Sequence, residues 1–258
     1  MSYQTIRYEL ADEVATIALG RPDKMNSLNR AMRLELTDAL GRAGHEARAV
    51  VLTGSGHAFC AGQDLSDGGN AASIDLERTL AEEYEPLLRL IYDCPVPTIA
   101  AVNGVAAGAG ANIALAADLV IAARSASFIE AFARIGLIPD AGGTFWLPRL
   151  VGHARAMGLC LLAEPIEAER AAEWGMIWEV VEDDLLEARV RQIATRLASG
   201  PTVAYRLMKQ ALRRSAQNTL DDQLALEAEL QGEAGRTRDF AEGVMAFLEK
   251  RPAKFEGR

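Results

Sequence analysis

Hydrophobic and polar positions alternate with period two over residues 4–10 and again over 14–19, with Ala11, Asp12 and Glu13 between them, which predicts a hairpin of two strands. The period then changes. After a turn-like GRPDKMNSL, Met32, Leu36, Ala39 and Leu40 recur at helical spacing, and Asn29 is placed to cap the first turn. Residues 48–53 (RAVVLT) are a continuous apolar run suited to a buried strand. A polar, glycine-rich stretch follows, GSGHAFCAGQDLSDGGNAAS, and a loop of that length inside a compact domain is more often functional than idle. Helical spacing returns over 74–92 through Leu76, Leu80, Tyr84, Leu87, Leu88 and Ile91.

The densest run of small residues lies next, and the rest of the chain is organised around it. Pro95 and Pro97 fix the entry to a buried strand carrying Val96, Thr98, Ile99 and Val102. Gly104, Ala106, Ala107, Gly108, Ala109, Gly110 and Ala111 then allow close approach of backbone to backbone or ligand, before a helix-like run over 112–117. Strand, tight turn and helix start together expose amide N–H groups that can face an oxyanion. One carboxylate, Asp140, sits in an IPDAGG turn among apolar neighbours. A short strand is predicted at 119–122. From His153 the pattern is helical, interrupted by a strand at IWEVV, with a helix over 185–197. Beyond Gly200-Pro201 three helices are predicted, over 202–215, 219–234 and 237–250. The expected organisation is an α/β core over 1–200 and a helical region over 201–258, with strand–strand–helix units recurring at irregular spacing in the core.

Composition narrows the function. About half of the 258 residues are apolar, enough for one large domain or a domain with a helical appendage. No apolar run approaches the ~18 residues of a membrane span, and the N-terminus lacks a signal-peptide core, so the expected location is the cytoplasm. The net charge of −9 argues against a nucleic-acid partner. Cys60, Cys94 and Cys160 have no metal-ligand spacing and read as small hydrophobes in a reducing compartment, and the scattered His45, His57 and His153 offer neither a metal site nor a Ser-His-Asp triad. Gly108-Ala-Gly110 fails as a dinucleotide fingerprint because Ile113 stands where the third glycine belongs. There is no GxSxG elbow.

HAFCAGQDL (57–65), AVNGVAAGAGANIALAAD (101–118) and GLIPDAGGT (136–144), in that order and spacing, resemble the crotonase, or enoyl-CoA hydratase/isomerase, superfamily. NSL at 26–28 and ARAMGLCLLA at 154–163 fit as well, so the likeness spans the chain. The resemblance implies a spiral of strand–strand–helix turns with a helical C-terminal trimerisation region, assembled as a homotrimer or a dimer of trimers. It implies an acyl-CoA thioester substrate and no cofactor or metal beyond the CoA moiety. The thioester oxygen would lie between the backbone amides of Gln63 and Ala109. Lys24, Met25, Ser27, Ala61, Asp64 and Leu65 match positions that line CoA, and Phe247 and Lys250 resemble residues that reach a neighbouring subunit's CoA. Gly108, Asn112, Phe132, Ile135 and Pro139 would line the acyl pocket.

The departures from that pattern bear on the reaction. The two catalytic glutamates of the family's hydratases fall here on Asn112 and Phe132, neither of which is an acid or base. Asp140, where hydratases commonly have glycine, remains as one carboxylate opposite an oxyanion hole, which suits moving a proton on a single substrate. Its bland alternative is a turn or helix-capping aspartate. AGQDL, IGLIPDAGGTFWLPRL, EWGMIWEVV and AGRTRDFAEGVMAFLEKR resemble the branch of the family that isomerises ring-1,2-epoxyphenylacetyl-CoA to oxepin-CoA in phenylacetate degradation. A Δ3,Δ2-enoyl-CoA isomerase or enoyl-CoA hydratase of fatty-acid oxidation is the alternative. A non-catalytic binder of acyl-CoA or RNA is disfavoured by the acidic balance and by Asp140.

Overall fold

The computed structural model of the chain describes residues 3–67 and 75–258. The predicted hairpin forms as β1 (Ile6–Ala11) and β2 (Val14–Leu19), antiparallel, with Ala15, Ile17 and Leu19 turned inward. α1 (Arg30–Glu46) begins at Asn29, whose side chain accepts from the Met32 amide, and buries Met32, Leu36, Ala39 and Leu40 as its spacing requires. Arg33, a charged residue outside that stripe, is buried with them.

β3 (Ala49–Gly54) leads into β4 (Ala58–Cys60). The polar stretch from Ser66 to Ser73, expected as a loop, lies largely outside the described residues. The helix expected over 74–92 is seen from Leu76 and is not uniform: α2 (Leu76–Thr79) passes through a π-helical turn (Leu80–Tyr84) into α3 (Glu85–Tyr92). β5 (Thr98–Val102) is buried at every position, as its apolar run predicts. The expected tight turn after it carries one more short strand, β6 (Val105–Ala107), before α4 (Ala109–Leu115). β7 (Leu119–Ala123) and β8 (Ser127–Ile129) follow, then a 3₁₀ turn (Ala131–Ile135), α5 (Gly143–Val151), α6 (His153–Leu162), β9 (Ile166–Glu167), α7 (Ala168–Glu173), β10 (Glu179–Val181) and α8 (Leu186–Ala198).

The strands form two sheets. The larger has order β1-β2-β3-β5-β7-β10 and is parallel beyond the hairpin; the smaller has order β4-β6-β8-β9. β3–β4, β5–β6 and β7–β8 therefore each place one long strand in the first sheet and one short strand in the second before helical structure follows. That is the strand–strand–helix spiral. Its corners need close packing of main chain: a Cβ on Gly104, between β5 and β6, would stand 2.1 Å from the His57 carbonyl oxygen. The shared core is filled by Ile17, Leu28, Phe59, Ile91, Ile99 and Phe128, each fully buried.

The three C-terminal helices are α9 (Thr202–Ser215), α10 (Leu220–Ala234) and α11 (Arg238–Glu249). α9 is tied to the core by Lys209, whose Nζ donates to the carbonyls of Cys94 and Val96 at 2.8 Å each and meets Asp118 at 2.7 Å. No helix among the described residues is long and apolar enough to cross a membrane.

Candidate active site

The site grows from two segments of main chain pressed together. After β4 the chain is stitched to the segment before α1: Ala61 N donates to Met25 O at 2.9 Å, Leu28 N to Gly62 O at 2.8 Å, and Asp64 N to Leu28 O at 3.1 Å. In this parallel bridge the residues flanking Gln63 make the bonds, so the Gln63 N–H faces away from Leu28. The turn between β6 and α4 abuts the same segment. A Cβ on Gly62 would stand 2.7 Å from the Ala107 oxygen and 3.4 Å from the Ala109 nitrogen, and one on Gly110 would stand 2.3 Å from the Cys60 oxygen. Ala109 is the first residue of α4, so its N–H has no acceptor within the helix. The amide-bearing segments of Gln63 and Ala109 are thus held side by side.

The side chain of Gln63 is clamped from behind. Its Oε1 accepts from Arg33 Nη1 at 3.1 Å and from the Tyr84 hydroxyl. Arg33 in turn bonds Glu83 at 2.7 Å and the Leu28 carbonyl at 2.7 Å. Burial raises the Tyr84 phenol above its usual range, so it remains a neutral donor. Tyr84 ends the π-helical turn, a distortion that often marks a functional site. Sequence reading missed Arg33, Glu83 and Tyr84 as site residues. The one signal was a charged residue beside the apolar stripe of α1.

Asp140 is held against α4 by Asn112 and lies within electrostatic reach of Tyr84. The turn around it needs left-handed backbone at Ala141 and Gly142, with φ of +47° and +84°. Its carbonyl accepts from Gly143 N at 2.8 Å, but its carboxyl caps nothing among the described residues: Gly142 is the N-cap of α5, and Asp140 Oδ1 is buried with no partner among them. The turn-or-cap alternative therefore fails for the side chain. Burial pushes the Asp140 carboxyl up to about 6. Asn112 Nδ2 donates to the Asp140 carbonyl at 2.9 Å and to Glu130 Oε2 at 3.3 Å. Glu130, 3% exposed, was not foreseen; burial pushes it up to about 7, Asn112 opposes this, and nearby Asp140 adds to it. Its only trace in sequence is an acid inside the apolar run SFIEAF. The Phe132 ring packs on the α4 turn, so that a Cβ on Gly108 would lie 3.5 Å from it.

The other expected positions separate into two groups. Met25 and Leu65 flank the Gln63 segment as exposed apolar side chains, with Lys24 exposed and Ser27 buried beside them. Ala61 and Pro139 are half-buried, and Ile135 is exposed. Asp64 serves the loop itself, pairing with Arg21 at 2.7 Å and Ser66 Oγ at 2.6 Å; burial alone would raise its carboxyl, yet these bonds hold it below the ordinary value. Phe247 and Lys250 lie at the end of α11, and no hydrogen bond or ion pair among the described residues joins them to the cleft within this chain. Among the described residues no group of three His, Cys, Asp or Glu could hold a metal ion.

Two abutting amide segments, buried carboxyl oxygens without partners among the described residues, and a two-sheet spiral lead to the class of protein. The enoyl-CoA hydratase/isomerase family model matches residues 9–258, and the chain belongs to that family. It is 62% identical over 258 residues, the whole of both chains, to a "probable enoyl-CoA hydratase" of Rhodobacter capsulatus. It is 49% identical over 250 residues, 95% of each chain, to the 1,2-epoxyphenylacetyl-CoA isomerase of Escherichia coli. The crystal structure of an enoyl-CoA hydratase from Bacillus anthracis superposes with a TM-score of 0.91 at 36% identity, covering 99% of this chain and 100% of that one.

Proposed function

We propose that the chain is an acyl-CoA isomerase that moves a proton with a single carboxylate, Asp140, while the amides of Gln63 and Ala109 hold the thioester oxygen. The observation that carries this reading is Asp140 Oδ1, buried, without a hydrogen-bond partner among the described residues, on a carboxyl pushed up to about 6. A carboxylate with no donor is a stronger base, and one that titrates near neutrality can return the proton it takes. On a 3-enoyl-CoA, Asp140 removes a proton from C2, the electron pair passes into the thioester as an enolate, and the same proton returns at C4 to give the 2-enoyl isomer. Aimed amides in a water-poor site stabilise that enolate by roughly 3 kcal/mol per donor. Asn112 and Phe132 supply no second carboxylate for activating water.

The likeness to the E. coli isomerase supports ring-1,2-epoxyphenylacetyl-CoA as the physiological substrate, with oxepin-CoA as product. The same apparatus then shifts Δ3-enoyl-CoA to Δ2. Comparing turnover of the epoxide with that of straight-chain 3-enoyl-CoA tests this choice; a strong preference for the straight chain points to fatty-acid oxidation instead. A second reading, hydration, is favoured by the R. capsulatus relative and by Glu130, a second buried carboxyl near Asp140. Crotonyl-CoA hydration, lost in both Asp140→Asn and Glu130→Gln, would establish it.

A further inference from the structure

Three buried side-chain oxygens lack any hydrogen-bond partner among the described residues: Asn112 Oδ1, Glu130 Oε1 and Asp140 Oδ1. They belong to one cluster, because Asn112 Nδ2 donates both to Glu130 Oε2 at 3.3 Å and to the Asp140 carbonyl at 2.9 Å. The amide of Asn112 is the cluster's only side-chain donor, and those two bonds occupy it. With both carboxyls ionised, the cluster would hold acceptors and two negative charges in a buried space. No lysine or arginine among the described residues pairs with either carboxyl; the nearby buried guanidinium, Arg33, is committed to Glu83. Such a cluster is relieved when one carboxyl takes a proton, which also turns an orphaned acceptor into a donor.

We propose that Glu130 is the positioning residue of this site: it keeps a proton, and through Asn112 it holds the main chain of Asp140 while leaving Asp140 as the cluster's single anion. This rests on the reading of Asp140 as the base. The titratable groups facing Glu130 are Asp140, from the turn before α5, and Cys160, from α6; Tyr84 faces Asp140 from the π-helical turn. Burial pushes both carboxyls up, Glu130 to about 7 and Asp140 to about 6, and the Asp140 charge adds to the rise at Glu130. With one proton in the cluster, the orphaned Glu130 Oε1 carries it and Asp140 remains the anion. As pH rises further Glu130 releases its proton to solvent, leaving a second anion in the buried cluster beside Asp140 and weakening its hold on Asn112.

The experiment has two arms. In substrate-free protein labelled at glutamate side-chain carboxyl carbons, the resonance missing from Glu130→Gln should titrate well above the ordinary glutamate range, at about 7, and move lower in Asp140→Asn, where the neighbouring anion is gone. Titration of that resonance in the ordinary glutamate range overturns the proposal whatever the enzyme turns over. In the kinetic arm, trans-3-hexenoyl-CoA isomerisation is followed against pH. Glu130→Ala should lower kcat roughly tenfold at pH 6.5 with KM within about twofold, and Glu130→Gln should restore most of that loss and lack the descending alkaline limb. An alkaline limb identical in wild type and Glu130→Gln overturns the proposal. Full turnover in Asp140→Asn would instead remove the reading of Asp140 as base, and the carbon resonances would still decide the state of Glu130.

Discussion

Arg33 and Glu83 meet at 2.7 Å inside the protein, their side chains 4% and 9% exposed, and Arg33 carries that anchorage to the cleft by donating to Gln63 Oε1. The pair backs the Gln63 segment, to which the proposed function assigns one oxyanion-hole amide. Removing one member strands the other charge in a buried site. Arg33→Leu is expected to lower unfolding free energy by roughly 3–5 kcal/mol, read from denaturant titration. Tyr84→Phe removes the second donor to Gln63 at little cost in volume. It should lower kcat more than it raises KM, because the oxyanion contact strengthens in the transition state.

Asp140 is costly to the fold. A carboxyl raised from 3.8 to about 6 by burial binds its proton more tightly folded than unfolded. Its penalty is therefore absent below the unfolded value, grows as pH rises through this interval, and is complete above about 6. Asp140→Asn should match or exceed wild type in thermal stability at pH 7.5, by about 3 kcal/mol at most, and lose that advantage by pH 4. A lower melting temperature at pH 7.5 would show that the carboxylate is a structural tie.

Gly110 tests the close approach of the two amide segments. Gly110→Ala drives a methyl group into the Cys60 main chain, at 2.3 Å from its carbonyl oxygen, and must part the segments that carry Gln63 and Ala109. Isomerase kcat/KM is expected to fall by roughly 100-fold or more, while acyl-CoA affinity measured by calorimetry falls far less.

The C-terminal helices leave a broad apolar face uncovered in the single chain: Leu212, Leu220, Leu224, Phe240, Phe247 and Leu248 are all more than half exposed. Exposed apolar surface of that extent marks an interaction site, and the family resemblance makes further copies of this chain the expected cover. Sedimentation at micromolar concentration is expected to give a homotrimer or a pair of trimers, and Leu212→Asp with Leu224→Asp should shift it toward monomer.

Periodicity made the larger sheet and most helices legible, since each is long enough to show its repeat. The smaller sheet was not, because β4, β6, β8 and β9 have only two or three residues each and no period to read. Asp140 and the small-residue turn stood out by composition. Glu130 did not: its neighbours in sequence describe an ordinary apolar run, and only folding brings it beside Asn112. The clamp on Gln63 was equally hidden, for Arg33 and Gln63 are joined across a sequence separation of 30 residues.

The most direct test follows trans-3-hexenoyl-CoA and crotonyl-CoA in parallel, with wild type and Asp140→Asn. The one-carboxylate account predicts isomerisation without hydration in wild type, and an isomerisation rate lowered by roughly 100-fold to 10,000-fold in the variant. Robust hydration of crotonyl-CoA by wild type, or wild-type isomerisation by Asp140→Asn, would contradict it.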